Sequence, residues 1–350
     1  MKIVHYATVV PKTISGLIRR VMEIHKLEKA LGWESGLVSP QDKHENGYTV
    51  EGTPALEILP WSWAADADVH VMDGSVPGDI LALKNRVFMA HGGPKYCALT
   101  ELNMKRSSFT LAINMVQNCE LTITQNRQHQ RFWREFGGDV RWVQGGVDLE
   151  KWIPEGTKIP FPSHPCIVYM DIWRDMKLPM TLFMAMKEVV KEVPTARLQL
   201  FNVPKGREAW WMRVLCKVGV DHLVENYKGG IWGNPEQVYR GADIIVNPVE
   251  GGTISGVGVE ALACGCPVLI LEGNKSKYAS IKSKDDPDSM AKALVKLWKR
   301  IEADRDEVRL EARMIAEKNY SVRRMVTEML DIYVEKFGLK APEGESKSST

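Results

Sequence analysis

Long apolar runs are scarce in these 350 residues: none approaches the roughly 20 residues a membrane-spanning helix needs. The first residues alternate like a strand and reach Pro11 without an apolar signal core, so secretion is not expected and a cytoplasmic location is. An excess of charge is also missing. Lys and Arg total 46 against 44 Asp and Glu, and the net charge of +2 favours no nucleic-acid partner and excludes none. The six cysteines form no CxxC pair and no zinc-finger spacing, and they stand mostly inside apolar segments, as reduced core thiols do. No Asp-x-Asp pair closes a strand, so no metal site is expected.

What the chain does have is concentrated in Gly241 to Leu271, GADIIVNPVEGGTISGVGVEALACGCPVLIL. The apolar run Ile244 to Val246 closes at Pro248, a glycine loop follows, an apolar helix starts around Glu260, and a second apolar run begins after Pro267. Strand, loop, helix and strand in that order form the repeat of a parallel α/β sheet, which binds ligands at the carboxyl ends of its strands. Gly251, Gly252, Gly256 and Gly258 admit a close approach of main-chain N–H groups, and the helix turns its positive end toward an anion. A nucleotide-linked ligand suits both features. Glu250 and Glu260 bracket the loop, ten positions apart.

This stretch resembles the signature of glycosyltransferase family 4, retaining enzymes in which Glu, seven residues and a second Glu run into Ala-x-Ala-x-Gly-x-Pro-Val. The match is close over Val259 to Leu269, VEALACGCPVL, and the preceding PEQVYRGADIIVNPVEGG is similar to that family's approach, with a loop two residues longer than its usual spacing. The resemblance covers nearly the whole chain, strongly over Glu236 to Leu269 and loosely elsewhere. It implies an α/β chain of the GT-B fold: two Rossmann-like doubly wound domains facing a central cleft, with a C-terminal helix crossing back to the first domain. It also implies metal-independent transfer of a sugar from a UDP- or GDP-sugar to a hydroxyl acceptor, with the nucleotide sugar as co-substrate and no cofactor.

Site roles follow from the same resemblance. Glu260 would accept hydrogen bonds from a ribose diol. Lys177, with Arg174 standing in for a displaced motif arginine, would hold the diphosphate together with the helix start at Gly256. Glu250 would face the donor sugar if the longer loop bulges; otherwise that role passes to the backbone of Gly251, Gly252 and Thr253. Gly16 would lie near the diphosphate, Trp232 would stack on the base, and His91, with Glu250 and Lys177 a catalytic candidate, would approach from the opposite domain. Taken singly, each has a plainer reading. A lysine at a helix start is commonly a surface charge, a Trp in a glycine-flanked loop is as often a core plug, and a loop histidine is often solvated.

The chain order supports four segments: an acceptor-side domain over 1–157, a nucleotide-sugar domain over 158–320, a crossover helix over 321–340 and a disordered tail over 341–350. Strands are expected at Lys2 to Ala7, Gly36 to Ser39, Asp68 to Met72, Arg86 to Ala90 and Leu121 to Thr124, with an amphipathic helix from Leu17 to Leu31. Arg127, Arg131 and Arg134 lie in a basic helical segment that would suit an anionic acceptor, or would merely be a solvated face. The acceptor stays open among glycan, lipid and nucleic acid. Three other functions stay open as well: glycosylation of hydroxymethylated bases in viral DNA, non-catalytic binding of a nucleotide sugar, and a GT-B epimerase, which would turn over the donor without an acceptor.

Overall fold

The computed structural model describes residues 1–7, 16–39, 48–49, 57–73, 82–90, 108–171, 173, 179–204, 206–229, 234–249, 254–272 and 279–342. The chain divides into two compact units, Met1–Gly145 with Val322–Thr350, and Gly146–Ser321. The change of unit falls between Gly145 and Gly146 rather than near Thr157. The reason lies in the proline-rich connector, whose Trp152 and Phe161 are buried in the core of the second unit.

In the first unit, β1 (Lys2–Tyr6), β2 (Glu34–Val38), β5 (Val69–Met72), β6 (Arg86–Ala90), β7 (Leu121–Thr124) and β8 (Val140–Trp142) form a parallel sheet in the order β2-β1-β5-β6-β7-β8. A two-residue antiparallel pair, β3 (Tyr48–Thr49) and β4 (Glu57–Ile58), forms a separate ladder beside β2, where the Leu59 amide donates to the Leu37 carbonyl at 2.9 Å. Helices α1 (Gly16–Ala30), α2 (Ser108–Asn118) and α3 (Arg127–Arg134) connect the strands. Both faces of this sheet are covered, so β5 and β7 are buried at every position, His70, Thr122 and Thr124 included.

The second unit holds β9 (Cys166–Tyr169), β10 (Arg197–Val203), β11 (Val224–Gly229), β12 (Ile244–Asn247), β13 (Val268–Leu271) and β14 (Ile281–Ser283), parallel in the order β11-β10-β9-β12-β13-β14. Its helices are α4 (Pro179–Glu192), α5 (Glu208–Val218), α6 (Pro235–Gly241), α7 (Gly256–Ala263), α8 (Pro287–Ala303) and α9 (Arg305–Asn319). One face of the sheet packs on α4, α5 and α8, the other on α6, α7 and α9. The strand order reverses between β9 and β12, which places the ligand-binding crevice of such a sheet at their carboxyl ends. Strand β14 is marked by no apolar run in the sequence. At the sheet margin it pairs, among the described strands, with β13 alone, so Ile281-Lys282-Ser283 needs no apolar run.

The chain then returns to the first unit through α10 (Val322–Phe337), which buries Met325, Val326, Met329, Leu330 and Tyr333 among Ile3, Val69, Val71 and Val87. Each such side chain contributes about 1.5–3 kcal/mol when fully buried. Among the described residues, no helix is long and apolar enough to cross a membrane.

Gly241 closes α6 where only hydrogen fits. A Cβ there would lie 2.2 Å from the main-chain oxygen of Ile159, at a point where the connector crosses. Gly241→Ala is expected to cost about 1–3 kcal/mol, read as a lower denaturation midpoint; an unchanged midpoint would show that the connector can move aside.

Candidate active site

At the reversal point of the second unit, three polar side chains join two strand ends to a helix start. Asp171 lies two residues beyond β9, Asn247 is the last residue of β12, and Ser255 precedes α7. Asn247 Nδ2 donates to Asp171 Oδ2 at 2.6 Å, and Ser255 Oγ donates to the same oxygen at 2.9 Å. The Ser255 amide donates to Asn247 Oδ1 at 3.1 Å. The cluster is largely dry, with Asp171 5% and Asn247 0% exposed. It therefore fixes where the amino terminus of α7, with its unsatisfied N–H groups, points.

Glu260 stands one turn into that helix. Its Oε2 accepts a hydrogen bond from the Tyr239 hydroxyl at 2.9 Å, and its Oε1 is on the side of Gly256, where a Cβ would come within 3.9 Å of it. Burial, then the charge and hydrogen bond of Glu260, push the Tyr239 phenol well above its ordinary pKa, so it remains a donor. The carboxylate is thereby aimed along the first turn of α7. Gly258, by contrast, serves packing: a Cβ there would meet Ile254 Cγ1 at 2.5 Å and Asn247 Oδ1 at 3.1 Å, so its absence lets α7 press onto the end of β12.

Of the residues expected to form the site, Gly256 and Glu260 are thus brought to the reversal point, and Gly16 opens α1 in the first unit. His91, Arg174, Lys177, Trp232, Glu250, Gly251, Gly252 and Thr253 lie outside the described residues. The three arginines fall on α3. Arg127 lies over the Trp142 ring at 4.1 Å, Arg134 Nε donates to the Val140 carbonyl at 3.2 Å, and Arg131 is exposed. Among the described residues, no group of three His, Cys, Asp or Glu side chains is placed to hold a metal ion.

The first unit carries a buried polar network that sequence reasoning missed. Its strand order reverses between β1 and β5, and there His5 Nδ1 meets Asp73 Oδ2 at 2.7 Å while His5 Nε2 meets Glu28 Oε2 at 2.9 Å. Burial alone would lower the His5 pKa, but Glu28 and Asp73, by charge and hydrogen bond, raise it from 6.5 to about 10. His5 is therefore an imidazolium that donates to both carboxylates. Ser35 Oγ gives its hydrogen to Glu28 Oε2 at 2.6 Å, so His25 Nδ1, 2.9 Å from the same hydroxyl, carries the proton between them. Burial, with the charges of His5 and Lys29, lowers the His25 pKa to about 3 and keeps that ring neutral. The one sequence signal was a histidine inside the apolar run KIVHYA.

Residues 169–300 match the model of the family described as Glycosyl transferases group 1. No curated protein matches the sequence. Among solved structures, the chain is similar to sucrose-phosphate synthase from Thermosynechococcus elongatus, with a TM-score of 0.74 at 16% identity over 96% of this chain and 99% of that one. A glycosyltransferase from Rickettsia africae gives 0.68 at 12% identity, over 97% and 99%. Anabaena HepE in complex with UDP-glucose gives 0.65 at 13% identity, over 95% and 99%. These likenesses establish the GT-B fold expected from the sequence.

Proposed function

We propose that this chain, a glycosyltransferase of the GT-B fold, moves a sugar from a UDP- or GDP-sugar to an acceptor hydroxyl, without a metal and with retention at the anomeric carbon. The observation that carries the reading is Glu260, held by Tyr239 one turn into α7 at the reversal point of the second sheet. A carboxylate in that place takes both hydroxyl hydrogens of a ribose. The α7 amino terminus, Lys177 and Arg174 then offset the charge that grows on the leaving diphosphate. Glu250, or the backbone of Gly251 to Thr253, orients the donor sugar, Trp232 stacks on the base, and His91 touches the transferred sugar. The UDP-glucose bound to Anabaena HepE supports a uridine donor.

The test is nucleotide release from a panel of UDP-, GDP- and ADP-sugars, for the wild type and Lys177→Ala, without acceptor and then with pooled glycans, lipids or hydroxymethylated DNA. Release is expected to need Lys177, to rise with one acceptor class and to survive EDTA. Nucleotide binding with silence across the panel would instead identify a non-catalytic binder.

A further inference from the structure

Among the described strands, β8 is the last of the first unit's sheet and pairs with β7 alone. Beside this edge lies a cavity of about 470 Å³, within the range that holds small ligands. Helix α3 lines it with Arg127 and Gln130, β8 with Trp142, and α10 with Glu328, Asp331 and Ile332.

Its charges narrow the choice of ligand. Arg141 and Glu335 complete the lining, giving two guanidiniums against three carboxylates, an acidic excess that disfavours phosphates and acidic sugars. Several of these groups are already engaged. Arg141 is held by Asp139 at 2.6 Å and Glu335 at 3.4 Å, and Glu328 by Arg324 at 3.0 Å. Arg127, stacked on Trp142, and the exposed Asp331 have no ion-pair partner among the described residues. An aromatic ring flanked by a guanidinium donor and a carboxylate acceptor matches a molecule whose hydroxyls both give and take hydrogen bonds and whose C–H face is apolar.

We propose that this cavity is a carbohydrate subsite that takes a neutral or amine-bearing sugar residue of a glycan. Asp331 accepts from its hydroxyls, Arg127 donates to them, and Trp142 lies against the ring. As a statement about the acceptor this rests on the glycosyltransferase reading; as a statement about binding it stands alone.

A printed array of neutral, amino and acidic oligosaccharides is the probe, followed by calorimetry with the strongest binder. Wild type is compared with Asp331→Asn, an exposed change that spares the fold, and with Trp142→Ala. Neutral or amino glycans are expected to bind, each variant weakening them roughly 10- to 100-fold while UDP and GDP binding is unchanged. An array without binding, binding to acidic glycans alone, or binding that neither variant weakens would overturn the proposal. Array binding by a chain that transfers no sugar would uphold the subsite while removing the transferase reading.

Discussion

Replacing His5 with alanine is expected to lower the stability of the first unit by about 3–5 kcal/mol at pH 7, the cost of removing one member of a buried ion group. His5, Glu28 and Asp73 are all 0% exposed, so neither carboxylate can turn to water when the imidazolium between them is lost. The pH dependence has a definite sign. A folded-state pKa raised from 6.5 to about 10 gives a contribution that is complete below pH 6.5, declines as the pH rises and is gone above about 10. Urea denaturation at pH 6, 8 and 10 should therefore show wild type losing its advantage over His5→Ala as the pH rises. Equal midpoints at pH 6 would mean that the network holds nothing together.

Glu260→Ala is expected to raise the donor KM about 10- to 100-fold and leave kcat nearly unchanged, because hydrogen bonds from ribose to a charged group are made equally in the ground and transition states. Tyr239→Phe leaves the carboxylate in place but removes the donor that aims it, and should raise KM only about fivefold. Steady-state kinetics with the preferred nucleotide sugar read both effects. A Glu260→Ala enzyme with wild-type KM would assign the carboxylate a structural role.

The strands of the second sheet's centre were legible because burial on both faces leaves no polar alternation: β12 and β13 fall where their apolar runs place them, and α1, α8 and α10 follow their amphipathic stripes. Strand β14 was not, since an edge position relaxes the demand for apolar residues. In the candidate site, Glu260 and Gly256 could be read because a spacing and a following strand mark them. Asp171, Asn247 and Tyr239 carry no such mark. Their meaning is a set of hydrogen bonds between residues as much as 84 positions apart, which only the closed sheet brings together. His5 was hidden for the opposite reason, because its neighbours in sequence are the apolar residues of a core strand and its partners belong to other elements.

The placement of α10 bears on how the protein is made. The six described strands of the first unit's parallel sheet emerge from the ribosome early, yet the helix that covers one face of that sheet is encoded roughly 190 residues after Gly145. At about 5–20 residues per second, that leaves roughly ten to forty seconds in which Ile3, Val69, Val71 and Val87 wait without their cover. The second unit, contiguous from Gly146 to Ser321, has no such delay and can be complete before the first. A nascent chain stalled before Val322 thus presents an apolar sheet face to chaperones, and α10 must emerge before the older half of the molecule can close.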